Sequence, residues 1–306
     1  MFLQQFRRSF HVTRFACNAS KEKNALATLR KKTGYTFANC KKALELHQND
    51  LELAEKWLRE QAQSLGWSKA TKLAERSTAQ GLVGVLIRGR IGAMVEVNCE
   101  TDFVARNEHF KSFVDRASRL CVRYTEASDF DGDLWKLGFE SEALMKLSDG
   151  EGKSLGDHLA LLIGTVGENA TIKRAICFKT NNDVQLSGYA HPSLSNDAVL
   201  DDITQVGKYG ALVAVRSGNK VDDEFQKNLC QHIVGYNPKK IGEEGKDKPL
   251  AEKDDEPCLI YQEFIVDPDR SVGEALKEYD VSIVDYQRFE CGEKLKSEQV
   301  EAVNLN

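Results

Sequence analysis

The residues best placed to act on another molecule stand in one short polar connection, Thr101-Asp102-Phe103-Val104-Ala105-Arg106-Asn107. It joins a β-type run to a helical one, and its middle holds Phe and Val where turns usually carry Gly, Asn or Pro. Two readings fit. In one, Asp102 or Asn107 caps the following helix and Phe103 tucks into the core, and composition alone favours this. In the other, Phe103 is an exposed aromatic beside an acid, suited to wedging into a partner protein. Neither requires a bond to be made or broken.

Covalent chemistry and ligand binding find little support elsewhere. Gly152-Lys153-Ser154 ends like a phosphate-binding loop, but the first glycine that such a loop needs is replaced by Leu147. Asp129, Asp131, Asp133 and Glu140 match four ligand positions of a calcium loop, yet the residue that must make the sharp turn is Leu134. That stretch reads as a solvated surface segment. The histidines, at 11, 47, 109, 158, 191 and 232, show no metal or triad spacing. The cysteines form no C-x-x-C pair and no zinc spacing. Cys99 lies between Glu96 and Glu100, whose charges would raise its thiol pKa and argue against a nucleophile. No catalytic residue, metal or cofactor is expected.

The elements around the connection can be read from periodicity. Residues 23–32 place Ala25, Leu26 and Leu29 on one helical face and end at Gly34, suited to a left-handed stop. Thr36 can cap a second helix carrying Phe37, Cys40, Ala43 and Leu44. Asn49-Asp50-Leu51-Glu52 has the form of a capping box before Leu51, Ala54, Trp57 and Leu58. These helices predict a small bundle over 21–66, followed by a polar linker helix over 67–80.

The period then changes. Residues 81–87 and 93–99 are β-rich and read as a hairpin through 88–92. Phe110, Phe113, Val114, Ala117, Leu120 and Cys121 form one helical stripe. Residues 125–153, acidic and glycine-bearing, predict a variable surface excursion. A helix over 154–163 and strands over 171–179 and 184–190 follow. Gly210 to the helical Phe225 spans 15 residues and echoes Gly92 to Phe110, which spans 18, a weak internal repeat. Residues 237–257 predict a mobile charged insertion. Ser271-Val272-Gly273-Glu274 offers another capping box, and 281–290 a last strand. The fold class is therefore α+β, a three-helix head followed by a core of two related α+β subdomains, 81–180 and 181–306.

Charge is unevenly distributed over the 306 residues, whose net is −5. Residues 1–20 carry Arg7, Arg8 and Arg14 and no acid, 21–90 are net +7, and 91–306 are net −15. The acidic body argues against phosphate-backbone binding as the main task. The longest apolar runs fall far short of the roughly 20 residues that span a bilayer, so no membrane protein is expected. Residues 1–20 interleave Phe2, Leu3, Phe6, Phe10, Val12 and Phe15 with their arginines and predict a mitochondrial targeting peptide; a secretory signal would need an unbroken apolar stretch. The basic head, with Arg30, Lys31, Lys32, Lys41 and Lys42, fits an acidic protein surface better than nucleic acid.

At this point the strings become recognisable. Val95-Glu96-Val97-Asn98-Cys99-Glu100-Thr101-Asp102-Phe103-Val104-Ala105 closely resembles the signature of the elongation factor Ts family, the guanine-nucleotide exchange factors of translation elongation factor Tu. Leu29-Arg30-Lys31-Lys32-Thr33-Gly34 with Cys40-Lys41-Lys42-Ala43-Leu44 is similar to that family's ubiquitin-associated-like amino-terminal domain. Val166-Gly167-Glu168-Asn169, Lys173-Arg174, Tyr189-Ala190-His191 and Tyr286-Gln287-Arg288-Phe289-Glu290-Cys291-Gly292-Glu293 match in the family's order, and the leader points to the mitochondrial form.

The resemblance implies a non-enzymatic exchange factor of the mitochondrial matrix that forms a 1:1 complex with elongation factor Tu and touches no nucleotide, membrane or nucleic acid. It implies a wedge made of Thr101, Asp102, Phe103, Val104, Arg106 and Asn107. It adds head contacts through Phe37, Lys41 and Lys42, and contacts of the second subdomain through Tyr189, His191, Arg288 and Phe289. Thr36-Phe37-Ala38-Asn39 stands where the bacterial pattern has Gly-Met-Met-Asp, with Phe37 as the replacement apolar anchor, and the bacterial helical-hairpin insertion is reduced to 237–257. The alternative is a ubiquitin- or RNA-binding adaptor acting through the head.

Overall fold

The computed structural model describes residues 25–33, 35–150, 152–192 and 201–294. The targeting peptide and the Gly34 stop lie outside the described residues.

Three helices build the head: α1 (25–33), α2 (Phe37–Leu46) and α3 (Leu51–Leu73). Their apolar faces close around Leu29, Cys40, Ala43, Leu44, Ala54 and Leu58. Thr36 caps α2 by accepting from the Asn39 amide. The cap of α3 is Asp50, whose carboxylate accepts from the Glu52 and Leu53 amides at 2.9 Å, rather than the Asn49 of the expected capping box. Gln48 and Asn49 adopt positive φ to reverse the chain, which moves the cap one residue along.

The expected boundary at residue 66 falls inside α3, which runs unbroken from the head into the stretch read as a linker. A Cβ on Gly66 would lie 2.1 Å from the Ala160 carbonyl oxygen of α7 (Leu155–Val166), so the missing side chain lets the two backbones touch. Gly66→Ala is expected to destabilise the chain despite Ala's advantage of about 1 kcal/mol in a helix. Forcing the helices apart costs about 1–3 kcal/mol, which urea unfolding would read as a lower midpoint.

The core is a four-layer sandwich of two antiparallel sheets between helices. The first sheet has the order β3-β4-β2-β1-β6, from β1 (Gln80–Arg88), β2 (Ile91–Cys99), β3 (Leu134–Glu140), β4 (Ala170–Thr180) and β6 (Gln205–Gly207). The second, β10-β7-β5, comprises β5 (Val184–His191), β7 (Tyr209–Ser217) and β10 (Val281–Glu290), and β8 (Glu263–Phe264) with β9 (Asp267–Ser271) forms a separate two-stranded sheet. A tight turn at Gly89, φ +55°, joins β1 to β2. Between the sheets, Val83, Val85, Met94 and Phe178 meet Leu186, Leu212, Ala214 and Phe289. On the outer faces, α5 (Glu108–Glu126) and α7 cover the first sheet, and α8 (Asp223–Tyr236) and α9 (Val272–Glu278) cover the second. This explains why β2 is buried at every position, Glu96 and Asn98 included: a central strand covered on both faces has no solvent-facing side. The strand β6 comes from the second half yet extends the first sheet, so pairing crosses the expected division at 180.

The two segments read as a surface excursion and a charged insertion both carry defined contacts. Within 125–153, β3 pairs with β4 along its whole length, and α6 (Ser141–Lys146) follows. The alternation that turns Leu137 and Phe139 inward was masked by acidic flanks. Within 237–257, the nearly buried Glu256 carboxylate accepts from the Leu250 and Cys258 amides at 2.6 and 2.9 Å, and Tyr261 donates its hydroxyl to the Asp247 carbonyl. These bonds tie the segment to the chain that follows it, although beyond the turn Lys253–Asp255 it holds no helix or strand. The Ser271–Glu274 capping box forms as read.

Candidate functional site

The connection after β2 contains its own helical turn, α4 (Asp102–Ala105). Thr101 caps it, its hydroxyl accepting from the Val104 amide at 3.4 Å, and Asn107 caps α5 by accepting from the His109 amide at 2.8 Å. Asp102 is therefore not a cap; it pairs with Arg106 at 3.0 Å, one turn on, on the solvent side. Helical geometry turns Val104 and Ala105 into the core and leaves Phe103 81% exposed. The core place that composition favoured for Phe103 is taken by its two small neighbours. An aromatic held out in water by a capped turn is costly to keep and available for a partner's pocket.

A second turn holds this one from behind. The Glu168 carboxylate accepts the Thr101 hydroxyl at 2.9 and 3.1 Å, and the Glu100 carboxylate accepts the Asn169 amide at 2.6 Å. Asn169 donates its side-chain amide to the Arg76 carbonyl at 2.9 Å, while the Arg76 guanidinium lies 3.4 Å from Glu100. Gly167 ends α7 at φ +80°, and a Cβ there would meet the Thr36 methyl at 3.0 Å. The head's Thr36 and the Thr101 turn thus flank the same few residues. The bracing residues Glu168, Asn169, Glu100 and Arg76 were missed as site residues. The strings of Glu100, Glu168 and Asn169 carry the resemblance and Arg76 lies in the stretch read as a linker, but no local spacing shows that residues 67 apart are bonded.

Beneath the turn, the Cys99 thiol donates to the Thr101 carbonyl at 3.1 Å. Burial first, then the neighbouring Cys291 thiol and the Glu168 carboxylate, push it up to about 12, so it is a protonated prop. The direction matches expectation, but the cause is burial rather than Glu96 and Glu100. Burial also pushes the Cys230 thiol up to about 12 and the Cys291 thiol to about 11. Burial lowers His232 to about 4, and its Nε2 sits 3.0 Å from Gln262, which makes it a core histidine. Among the described residues, no three His, Cys, Asp or Glu side chains converge on a point that could hold a metal ion. Asp133 of the calcium-like string pairs with Arg216 and accepts from Asn181, and Ser154 caps α7.

In the head, Phe37 is 53% exposed with the Arg30 guanidinium 6.0 Å from its ring centre. Lys41 lies 3.7 Å from Glu45, and the Lys42 ammonium sits 5.8 Å over Trp57. The four residues expected from the second subdomain do not form one exposed surface. Phe289 is 4% exposed between the sheets, with the Arg174 guanidinium 4.0 Å over its ring. Arg288, its neighbour on β10, faces the other way, donates to the Val234 carbonyl at 3.1 Å and lies over Tyr209. Tyr189 is buried, its hydroxyl 3.0 Å from His191 Nδ1, and His191 alone is exposed. Strand alternation inside a sandwich explains why Phe289 and Arg288 part: successive side chains on β10 turn to the other sheet and to the helix layer, and of this strand only Ser282 is exposed.

Comparison with known proteins bears on the whole chain. A family model described as "Elongation factor Ts, mitochondrial, N-terminal" matches residues 7–68, and one described as "Elongation factor TS" matches residues 100–256. The chain is 64% identical over 300 residues to "Elongation factor Ts, mitochondrial" of Drosophila melanogaster, covering 96% of this chain and 94% of that one. The protein of the same name from Aedes aegypti is 56% identical over 297 residues, with 96% of each covered. That of Homo sapiens is 37% identical over 303 residues, with 97% and 91% covered.

Proposed function

The chain belongs to the elongation factor Ts family, in its mitochondrial form, and from that premise we propose that it drives GDP off elongation factor Tu by inserting α4 beside the partner's magnesium site. As a family member it is a translation elongation factor. The observation that carries the proposal is Phe103, 81% exposed on a turn whose caps are already satisfied. Phe103 and Asp102 displace the partner elements that hold Mg²⁺ and the phosphates. Because Mg²⁺ neutralises the phosphate charge, disturbing its coordination weakens nucleotide binding with no nucleotide contact from this chain. Linkage requires that nucleotide weaken the partner's hold on this chain by the same factor, so GTP rebinding releases it and no covalent step is needed.

The head braces the GTPase domain through Phe37, Lys41 and Lys42, and the second sheet meets another partner domain near His191, in a 1:1 complex within the mitochondrial matrix after removal of residues 1–20. The adaptor reading treats the head as an independent module; the continuity of α3 into its contact with Ala160 speaks against that. The test is to mix the purified chain with mitochondrial elongation factor Tu. A nucleotide-free complex that GDP dissociates is expected. A complex indifferent to GDP, or none, would overturn the proposal.

A further inference from the structure

The turn that carries Phe103 is too short to orient itself. A helix of four residues makes almost no internal hydrogen bonds and is not stable alone. The buried Val104 and Ala105 set its depth but leave its tilt open. What removes that freedom is a reciprocal exchange between two loops that are distant in sequence. Glu100 takes the Asn169 amide at 2.6 Å, and Glu168 takes the Thr101 hydroxyl through both carboxylate oxygens at 2.9 and 3.1 Å. Bonds to carboxylates are the stronger kind.

The Thr101 hydroxyl has a single proton. Donating it to Glu168 aims an oxygen lone pair at the Val104 amide, 3.4 Å away, which is the cap that starts α4. The carboxylate at position 168 thus sets the direction in which the turn leaves the core, although it belongs to another loop. Cys99 holds the Thr101 carbonyl. Arg76, near the end of α3, joins both Glu100 and Asn169.

We propose that Glu168, through Thr101, is a positioning residue for nucleotide exchange, which holds α4 at the angle that delivers Phe103. The inference rests on the exchange reading above. A wedge held rigidly loses little entropy on docking, so its contact energy goes into distorting the partner site. A loosened wedge would still dock through the head and the second sheet, but would distort less. The loss should therefore appear in the maximal rate and not in the concentration needed to reach half of it.

The experiment is stopped-flow release of a fluorescent GDP from elongation factor Tu over a range of concentrations of the full chain. Glu168→Ala should lower the maximal rate by on the order of tenfold and move the half-saturating concentration by less than about twofold. Glu168→Gln keeps an acceptor for Thr101 and should recover to within about threefold of wild type. Thr101→Val should match Glu168→Ala, and the double variant should lose no more than either. Thr101→Val also carries the test if Glu168→Ala folds poorly. An unchanged maximal rate in Glu168→Ala or Thr101→Val, a loss confined to half-saturation, or a Gln variant as impaired as the Ala variant would overturn the proposal. Phe103→Ala separates the two levels. If it too releases GDP normally, the exchange reading fails; if it is slow while Glu168→Ala is normal, only the positioning role fails.

Discussion

Phe103→Ala is expected to slow stimulated GDP release by on the order of a hundredfold while leaving the unfolding midpoint of the free chain where it was. An aromatic anchor that fills a desolvated pocket is typically worth about 2–4 kcal/mol when truncated, and each 1.36 kcal/mol is about tenfold in rate. In the free chain the ring is 81% exposed, so truncation removes almost no packing. The expected stability change is within about 0.5 kcal/mol. Asp102→Ala should act in the same direction but more weakly, since the aromatic is the anchor, and its exposed ion pair with Arg106 adds little to the stability of the free chain. Stopped-flow release and urea unfolding of the same preparations give both numbers. Normal release in both variants would remove the wedge from the mechanism, and a large loss of stability would mean that Phe103 is a core residue after all.

The largest effect on stability is expected at Glu96, which is 0% exposed. Its carboxylate receives the Arg174 Nε at 2.7 Å, the Gly292 amide at 2.8 Å, the Asn98 side-chain amide at 3.2 Å and the Lys173 ammonium at 3.4 Å. One side chain thereby ties β2 to β4, at the bulge between Glu96 and Val97, and to the chain leaving β10. Glu96→Ala would strand the Arg174 guanidinium, itself buried over Phe289, without its main counter-charge. Breaking a buried pair in this way costs about 3–5 kcal/mol, enough to move a urea midpoint by more than 1 M at a typical slope. Glu96→Gln keeps the acceptor oxygen and should lose less. A loss below about 1 kcal/mol in the Ala variant would show that water or Glu293, whose carboxylate lies 3.1 Å from the same guanidinium, takes over the pairing.

Much of the fold could be read from residues alone, because helices and strands announce themselves within a few positions. The stripe from Phe110 to Cys121, the caps at Thr36 and Ser271, and the last strand over 281–290 are all present where periodicity placed them. The misreadings share a cause. The strand β3 hides among acids, α3 continues through Gly66 because another helix needs that gap, and Asn49 yields its cap to Asp50 because the chain reverses just before it. In each case a neighbour from elsewhere in the chain, or the geometry of a turn, outweighs the local pattern.

The candidate site divides in the same way. By itself the sequence singled out the Thr101 to Ala105 string, through its likeness to the family signature, and the α+β class of the chain, with a helical head before a mixed core. Only the tertiary structure decided that Phe103 stands out while Val104 and Ala105 turn in, that Phe289 is sealed between sheets, and that residues 100–101 and 168–169 clasp each other. The physical reason is that periodicity records how a residue relates to its own helix or strand. Exposure and hydrogen-bond partners depend on what packs across from it, and here the packing comes from residues some 70 positions away or from the second sheet.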